Sequence, residues 1–368
     1  MLSLRLTLLV FIVLLAGVVP GAARAQTLTV YNSGGSYGTA LPTTGLTTTI
    51  ENFAGIGANA PVSTTSPESW RGFTLLAAGT SPWGPSQYCL SLASCLNWTT
   101  SPPASPGVYA AVGDPSMGSG ELTFTLDART FAFGLNHWDW NDGGQRSIIE
   151  VTLSNGTTVT VTGPTSNTND PMRFIGFQLD LPSVYAGIYI TKVTWKALPG
   201  QSEIIGLKNV QTSVAKPVLS VTKSSRVWDP ASEHRKAIPG NEVIYTVTVT
   251  NSGLAPADSD SVLLVDALPG ALSFWNGDID AGGAEQFSQY GQVGFSQVNG
   301  VAMTFIPSID FGISTSAVAP ITFSQCTQTA PDNNHYGSVR YLCLRPRGPL
   351  PAGPASPSIS FTFRARIN

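Results

Sequence analysis

Residues 136–144, Asn-His-Trp-Asp-Trp-Asn-Asp-Gly-Gly, carry the densest group of side chains that could do chemistry. If the strand before them keeps its alternation, His137 shares a face with Phe131 and Phe133, and both tryptophans take the other face. Outward indole rings suit sugars, because apolar sugar faces stack on them while hydroxyls bond to amides and carboxylates. The candidate ligand-binding residues are therefore His137, Trp138, Asp139 and Trp140. We prefer the plainer interpretation, in which one tryptophan is core and residues 141–144 form a turn.

The same stretch is also a candidate calcium site, because Asp139, Asn141 and Asp142 make an oxygen-rich turn. Calcium takes about six to eight oxygen ligands, and the stretch lacks the full acidic spacing of an EF-hand loop. A second acidic group comprises Asp258, Asp260 and Asp266. We expect that no cofactor is required, and we keep calcium as the alternative.

Hydrolytic chemistry finds little support in the sequence. His234 and His335 lie in polar segments where solvated loop residues, rather than catalytic bases, are expected. A glycosidase needs two convergent carboxylates, and 22 acidic residues do not single out a pair. We therefore expect a protein that is not an enzyme and keep a secreted hydrolase as the third hypothesis.

The first 25 residues have the composition of a signal peptide. Arg5 gives a positive start, residues 6–19 are apolar, and Ala23-Arg24-Ala25 fits a cleavage site. The apolar stretch is short for a transmembrane helix, so no membrane span is expected after cleavage. Cleavage of 25 from 368 residues leaves 343, a length that suggests two domains. We expect an exported protein, extracellular, at the cell surface or in the periplasm.

Charge argues against nucleic acid as a partner. Cleavage removes two arginines, so 17 basic residues remain against 22 acidic ones, and the net charge falls from −3 to −5. Only 11% of the residues are charged, and the basic ones form no run or stripe. A surface protein or a glycan fits this composition better, and the sequence leaves the oligomeric state open.

Four cysteines in an exported chain indicate disulfides rather than zinc, since no C-x-x-C spacing occurs. Four cysteines allow three pairings. We favour Cys89–Cys95 and Cys326–Cys343, because each bond then stays within one predicted domain.

The fold class is predicted to be all-β. Glycine, proline, threonine and serine are abundant, no convincing amphipathic helix appears, and many short segments alternate with a period of two. Asn155-Gly156 predicts a hairpin between residues 147–153 and 157–162. Residues 55–115 read mostly as loop. The first domain is predicted over residues 26–212, a short linker over 212–217, and the second domain over 213–368.

The second domain is organised around residues 239–253, PGNEVIYTVTVTNSG, followed by VLLVDALP. Alternation over residues 243–250 predicts a strand with one face on a core, and Pro239-Gly240 and Asn251-Ser252-Gly253 bracket it with turns. This segment resembles the conserved-repeat domain of bacterial surface proteins, known as domain of unknown function 11. The resemblance implies an immunoglobulin-like β-sandwich in which Asp266 is a structural turn residue.

The first domain resembles, more distantly, secreted β-sandwich domains of exosortase-sorted bacterial proteins. The resemblance rests on the order FAFG, WDW, FIGF, IYITKVTW and IIGLKNV. It implies a lectin-like or jelly-roll sandwich. The Asp-Asn-Val phrase that is common in the last strand of those domains reads Lys208-Asn209-Val210 here, so the Asp is missing.

Together these features predict an exported, non-catalytic structural or adhesive protein of the cell surface or the medium of a Gram-negative bacterium. Carbohydrate binding through the region of Trp138 and Trp140 is the alternative.

Overall fold

The computed structural model describes residues 28–56, 60–79, 85–90, 106–113, 120–138, 146–162, 172–229, 231, 233, 235–281 and 291–368. Within these ranges the chain is mainly antiparallel β-structure, which confirms the all-β prediction. The helices described are short: Gly34–Ala40, Leu181–Tyr185, Pro307–Asp310 and a 3-10 turn at Phe323–Gln325. No helix in the described ranges has the length and apolar character needed to cross a membrane.

The strands described before residue 216 belong to one hydrogen-bonded network. In chain order they are β1 Leu28–Tyr31, β2 Leu46–Glu51, β3 Ala60–Pro61, β4 Glu68–Trp70, β5 Phe73–Ala78, β6 Gln87–Cys89, β7 Gly107–Gly113, β8 Glu121–Trp138, β9 Ser147–Leu153, β10 Thr158–Thr162, β11 Arg173–Leu179, β12 Ile190–Ala197 and β13 Ser202–Ala215.

Strand β8 is long enough to take part in both layers of this network. Its first half pairs with β5 and β12, and its second half pairs with β11 and β13. Arg129, whose backbone is left-handed (φ 66°), lies between the halves. The ring of Phe124 in the first half lies 5.3 Å from that of Phe133 in the second. Side chains from both halves therefore share one buried core, as expected of a β-sandwich.

Two local predictions from the sequence can be compared directly with the structure. The hairpin around Asn155-Gly156 is confirmed, with Thr158 opposite Thr152 and Gly156 at φ 85°. Residues 55–115, expected to be mostly loop, instead contribute strands β3 to β7. Those strands are two to seven residues long, and the sequence between them is rich in Pro, Ser and Gly, so their alternation is hard to see in the sequence.

The strands described after residue 218 build a second, separate core from two sheets. They are β14 Leu219–Val227, β15 Glu242–Asn251, β16 Leu264–Ala267, β17 Leu272–Trp275, β18 Gly294–Val298, β19 Phe311–Ser314, β20 His335–Tyr336, β21 Tyr341–Leu344 and β22 Ser358–Ile367. One sheet has the order β14-β15-β22-β17-β20, with β18 also on β22, and the other has the order β16-β21-β19.

The alternation predicted for β15 is confirmed. Val243, Val247 and Val249 are buried in the second core, and the threonine hydroxyls of the other face bond across to β22. Asn251 ends the strand as a clamp: its Oδ1 accepts from the backbone of Val218 and Gly253. Its Nδ2 donates to the carbonyls of Ala255, Leu350 and Pro351.

The boundary predicted between residues 212 and 213 falls inside β13, which stays paired with β2 up to Ala215. Only residues 216–218 separate β13 from β14. Packing also links the two sides of the predicted boundary. Leu254 and Ala255, in the turn after β15, are buried in the core formed by the strands before residue 216. The division of the chain into two domains stays a prediction.

Candidate functional site

His137 lies in the core rather than at a reactive surface. Its side chain is fully buried, and its ring centre is 6.4 Å from that of Trp195. Burial, and to a smaller extent the charge of Arg173, its pairing partner on β11, lower the pKa of His137 to about 4. The imidazole is therefore neutral at pH 7 and has little basicity to offer a reaction.

Trp138 is only 2% exposed, which fits the preferred interpretation that one tryptophan is core and contradicts the alternative in which this ring faces solvent. The physical reason is that both faces of the second half of β8 are covered. On the side that Trp138 shares with Gly134, the ring of Phe174 approaches so closely that a Cβ on Gly134 would lie 2.6 Å from it. Alternation correctly separated the two faces of the strand, but it did not reveal this additional layer.

The remaining residues of the predicted ligand and calcium sites, Asp139, Trp140, Asn141 and Asp142, lie outside the described residues. In the part of the chain that is described, no group of three or more His, Cys, Asp or Glu side chains is arranged to hold a metal ion. Within the second acidic group, Asp258 pairs with Arg129, Asp266 pairs with Lys223, and Asp260 accepts from the backbone of Gly348.

His335 is not the solvated loop residue that the sequence suggested. It lies in β20, and its Nε2 is 2.7 Å from Glu242 Oε1. The other oxygen of Glu242 is 3.0 Å from Arg364 Nε, and the guanidinium of Arg364 lies near the rings of Trp228 and Trp275. Partial burial lowers the pKa of His335, which Glu242 opposes. This packed group closes one end of the six-stranded sheet. His234 lies outside the described residues.

The Lys208-Asn209-Val210 phrase marks an irregularity in β13. Asn209 has a left-handed backbone (φ 50°), and the pairing with β8 shifts register between Lys208 and Gln211. Asn209 Nδ2 donates to Asn136 Oδ1 at 3.2 Å. The asparagine therefore stabilises a bulge next to β8.

One of the two predicted disulfides is confirmed: Cys326 is bonded to Cys343. Cys89 is buried and also disulfide-bonded, but its predicted partner, Cys95, lies outside the described residues.

An exposed apolar loop, residues 315–322, is a candidate surface that the sequence predictions missed. It follows β19 and presents Val318 and Ile321 with 74% and 82% of their surface exposed. These are the highest exposures among the large hydrophobic side chains described. Isolated exposed aliphatics are ordinary, but two on one loop indicate a contact surface.

Hydrogen bonds and a covalent bond hold the exposed apolar loop in place. Gln325 Oε1 accepts from the backbone N–H of Ile321 and of Thr322, and Ser316 Oγ accepts from that of Val318. The Cys326–Cys343 disulfide joins the end of the loop to β21. The loop therefore presents its aliphatic side chains from a fixed backbone.

The chemistry of this surface is neutral. No Asp, Glu, Lys, Arg or His occurs from Phe311 to Pro331. At the base of the loop, Arg345 lies 4.4 Å from the ring centre of Phe323. Such a surface can bury apolar area against a partner without desolvating a charge of its own. The neutral stretch is visible in the sequence, but its exposure is not.

Neither the comparison with protein-family models nor the search of curated proteins finds a match for this chain.

Proposed function

We propose that this chain is an exported, non-catalytic structural or adhesive protein that acts at the cell surface or in the medium. The observation that carries the proposal is the exposed apolar loop. Exposed Val318 and Ile321 leave apolar surface in water, and burial of that surface against a partner is favourable by about 25 cal/mol per Å². Because the loop is already held by Gln325 and by the disulfide, little ordering opposes binding.

Buried polar side chains among residues 219–368 support a structural role. Asn276 is buried, and its Nδ2 donates to the carbonyl of Ala330 and to Asp332. Buried Asp310 accepts from Arg347 Nε at 2.8 Å and from the backbone of Ile306. These polar side chains bond to loops and hold them on the sheets, a use that suits a rigid scaffold.

The finer architecture belongs to the same proposal. We assign residues 219–368 to an immunoglobulin-like domain of the conserved-repeat family, and residues 28–215 to a lectin-like sandwich. The alternating strand β15 and its Asn251 clamp support the first assignment. The folding of β8 over one shared core supports the second.

The test uses the mature full-length chain, labelled and added to intact cells of the bacterium that exports it. We expect the double variant Val318→Ser/Ile321→Ser to bind these cells at least fivefold less than the wild type. The matched control is Ile238→Ser/Val298→Ser, whose native side chains are each 52% exposed elsewhere in the same half. Equal attachment of the wild type and the loop variant would exclude the loop as the adhesive surface. Attachment that both double variants lose equally would mean that general surface hydrophobicity is responsible.

A further inference from the structure

A cavity of about 430 Å³ opens on the part of the molecule formed by residues 28–215, called the first half below. Residues 219–368 are called the second half. The cavity lies where β2 ends and β4 turns into β5, and its lining includes Ile50, Glu51, Asn52, Trp70 and Arg71. Its volume falls within the range of ordinary ligand pockets, about 300–1,000 Å³.

The two-residue turn Arg71-Gly72 brings these side chains together. Gly72 has φ 82°, and a Cβ there would overlap Thr212 Oγ1. Only glycine allows the turn to press against the hydrogen-bonded pair Thr49–Thr212 on β2 and β13. Trp70 and Arg71 are thereby placed beside the end of β2, where Glu51 lies.

Glu51 is the unusual residue of this cavity. Its side chain is only 9% exposed, and its Oε1 accepts from the backbone N–H of Phe53. Phe53 has a left-handed backbone (φ 58°), which is a strained conformation for a bulky residue. Oε2 of Glu51 has no hydrogen bond and no ion pair with any described residue. This oxygen is not sealed from solvent, so a ligand in the cavity can reach it as an unbonded acceptor.

Arg71 supplies the complementary donors. Arg71 lines the same cavity, and its guanidinium forms no ion pair with Glu51 or with any other described residue. Asn52 adds an amide: its Oδ1 accepts from the backbone of Ala54, which leaves Nδ2 available. The two charges cancel, so the cavity favours a neutral ligand that offers both donors and acceptors.

Trp70 gives the cavity a fixed aromatic wall. Its ring packs edge-on against Phe53 at 4.9 Å and tilted against Tyr88 at 5.3 Å. Its Nε1 donates to Tyr88 Oη at 3.0 Å. The indole N–H is therefore already bonded, and the half-exposed part of the ring system offers only its apolar surface.

We propose that this cavity binds a neutral sugar ring. The apolar face of the sugar packs on Trp70, its hydroxyls donate to Glu51 Oε2, and Arg71 and Asn52 donate to its oxygens. A ligand of either charge would meet one like charge, on Arg71 or on Glu51, as well as one opposite charge, so neither sign of net charge is favoured. In this proposal Trp70 takes the sugar-stacking role that the sequence suggested for Trp138, which is buried. The proposal does not depend on the exposed apolar loop.

The experiment screens the mature full-length chain on an array of neutral hexose and N-acetylhexosamine glycans and then titrates the best glycan by calorimetry. We expect Trp70→Ala and Glu51→Gln each to weaken that binding at least tenfold. Glu51→Gln keeps an acceptor for the Phe53 N–H, so the turn is preserved. Glu150→Gln makes the same charge change on β9, in the Lys196 ion pair, and should leave affinity unchanged.

Should Trp70→Ala fail to fold, Glu51→Gln and Arg71→Ala decide, because Arg71 is exposed at a turn. The absence of glycan binding by the wild type would overturn the proposal. So would glycan binding that survives both Glu51→Gln and Arg71→Ala, or binding of zwitterionic amino acids in place of glycans. Cell attachment through Val318 and Ile321 is a separate measurement, so either proposal can fail alone.

Discussion

His137 and Glu51 are both buried ionisable side chains, but their surroundings differ. His137 lies among core side chains close to Trp195, and burial there stabilises the neutral ring. Glu51 lies at the wall of a cavity, where a ligand can reach its free oxygen. Burial alone therefore does not identify a functional residue; access to an unbonded polar atom separates the two cases.

The pKa of His137 predicts acid sensitivity. It is about 4 in the folded chain, against 6.5 for an unperturbed histidine. Above pH 6.5 both states are neutral at this residue, so its effect on stability is constant. As the pH falls from 6.5 to 4, the unfolded chain takes up a proton that the folded chain does not, and stability declines. The full loss is about 3 kcal/mol.

Urea denaturation at pH 7 and pH 4.5 measures this effect. The difference in unfolding free energy between the two pH values should be smaller in His137→Gln than in the wild type, whatever the variant costs at pH 7. An unchanged pH dependence would show that His137 is protonated in the folded chain.

At the scale of elements, alternation predicted what a strand does locally. It identified β15 and the β9–β10 hairpin, because one face of each repeats every second residue and a turn residue marks each end. It could not predict that β8 is covered on both faces, since the covering ring, Phe174, comes from a strand 36 residues later. The cavity beside Trp70 was missed for the same reason: Glu51, Arg71 and Thr212 meet only through the sheet topology.

The disulfide between Cys326 and Cys343 gives the element-scale prediction. It closes a loop with a sequence separation of 17, for which chain entropy predicts about 3 kcal/mol of stabilisation. We expect Cys326→Ala/Cys343→Ala to lose about that much in urea denaturation and to exchange amide hydrogens faster at residues 315–322. Cys89→Ala/Cys95→Ala should leave exchange in that loop unchanged. If both double variants leave it unchanged, the hydrogen bonds of Gln325 suffice to hold the loop.

At the scale of the whole molecule, the halves are joined by more than their short linker. Arg129 in the first half donates to the carbonyl of Pro256 and pairs with Asp258 at 2.7 Å. The carbonyl of Lys216 accepts from the backbone of Leu254 and of Ala255. The exposed ion pair contributes little, so the buried side chain of Leu254 should dominate the coupling.

Leu254→Ala tests that coupling in the full-length chain. Leu254 belongs to the second half in sequence but is 5% exposed within the core of the first half. Truncation of a buried leucine costs about 2–5 kcal/mol. The loss should appear in the first half, as faster amide exchange in β2 and β13, while β17 and β22 keep their protection. Leu219→Ala, whose native side chain is 45% exposed at the start of β14, is the control and should change exchange little in either half. If Leu254→Ala leaves β2 and β13 as protected as in the wild type, the halves are stable independently of this contact, as separate folding requires.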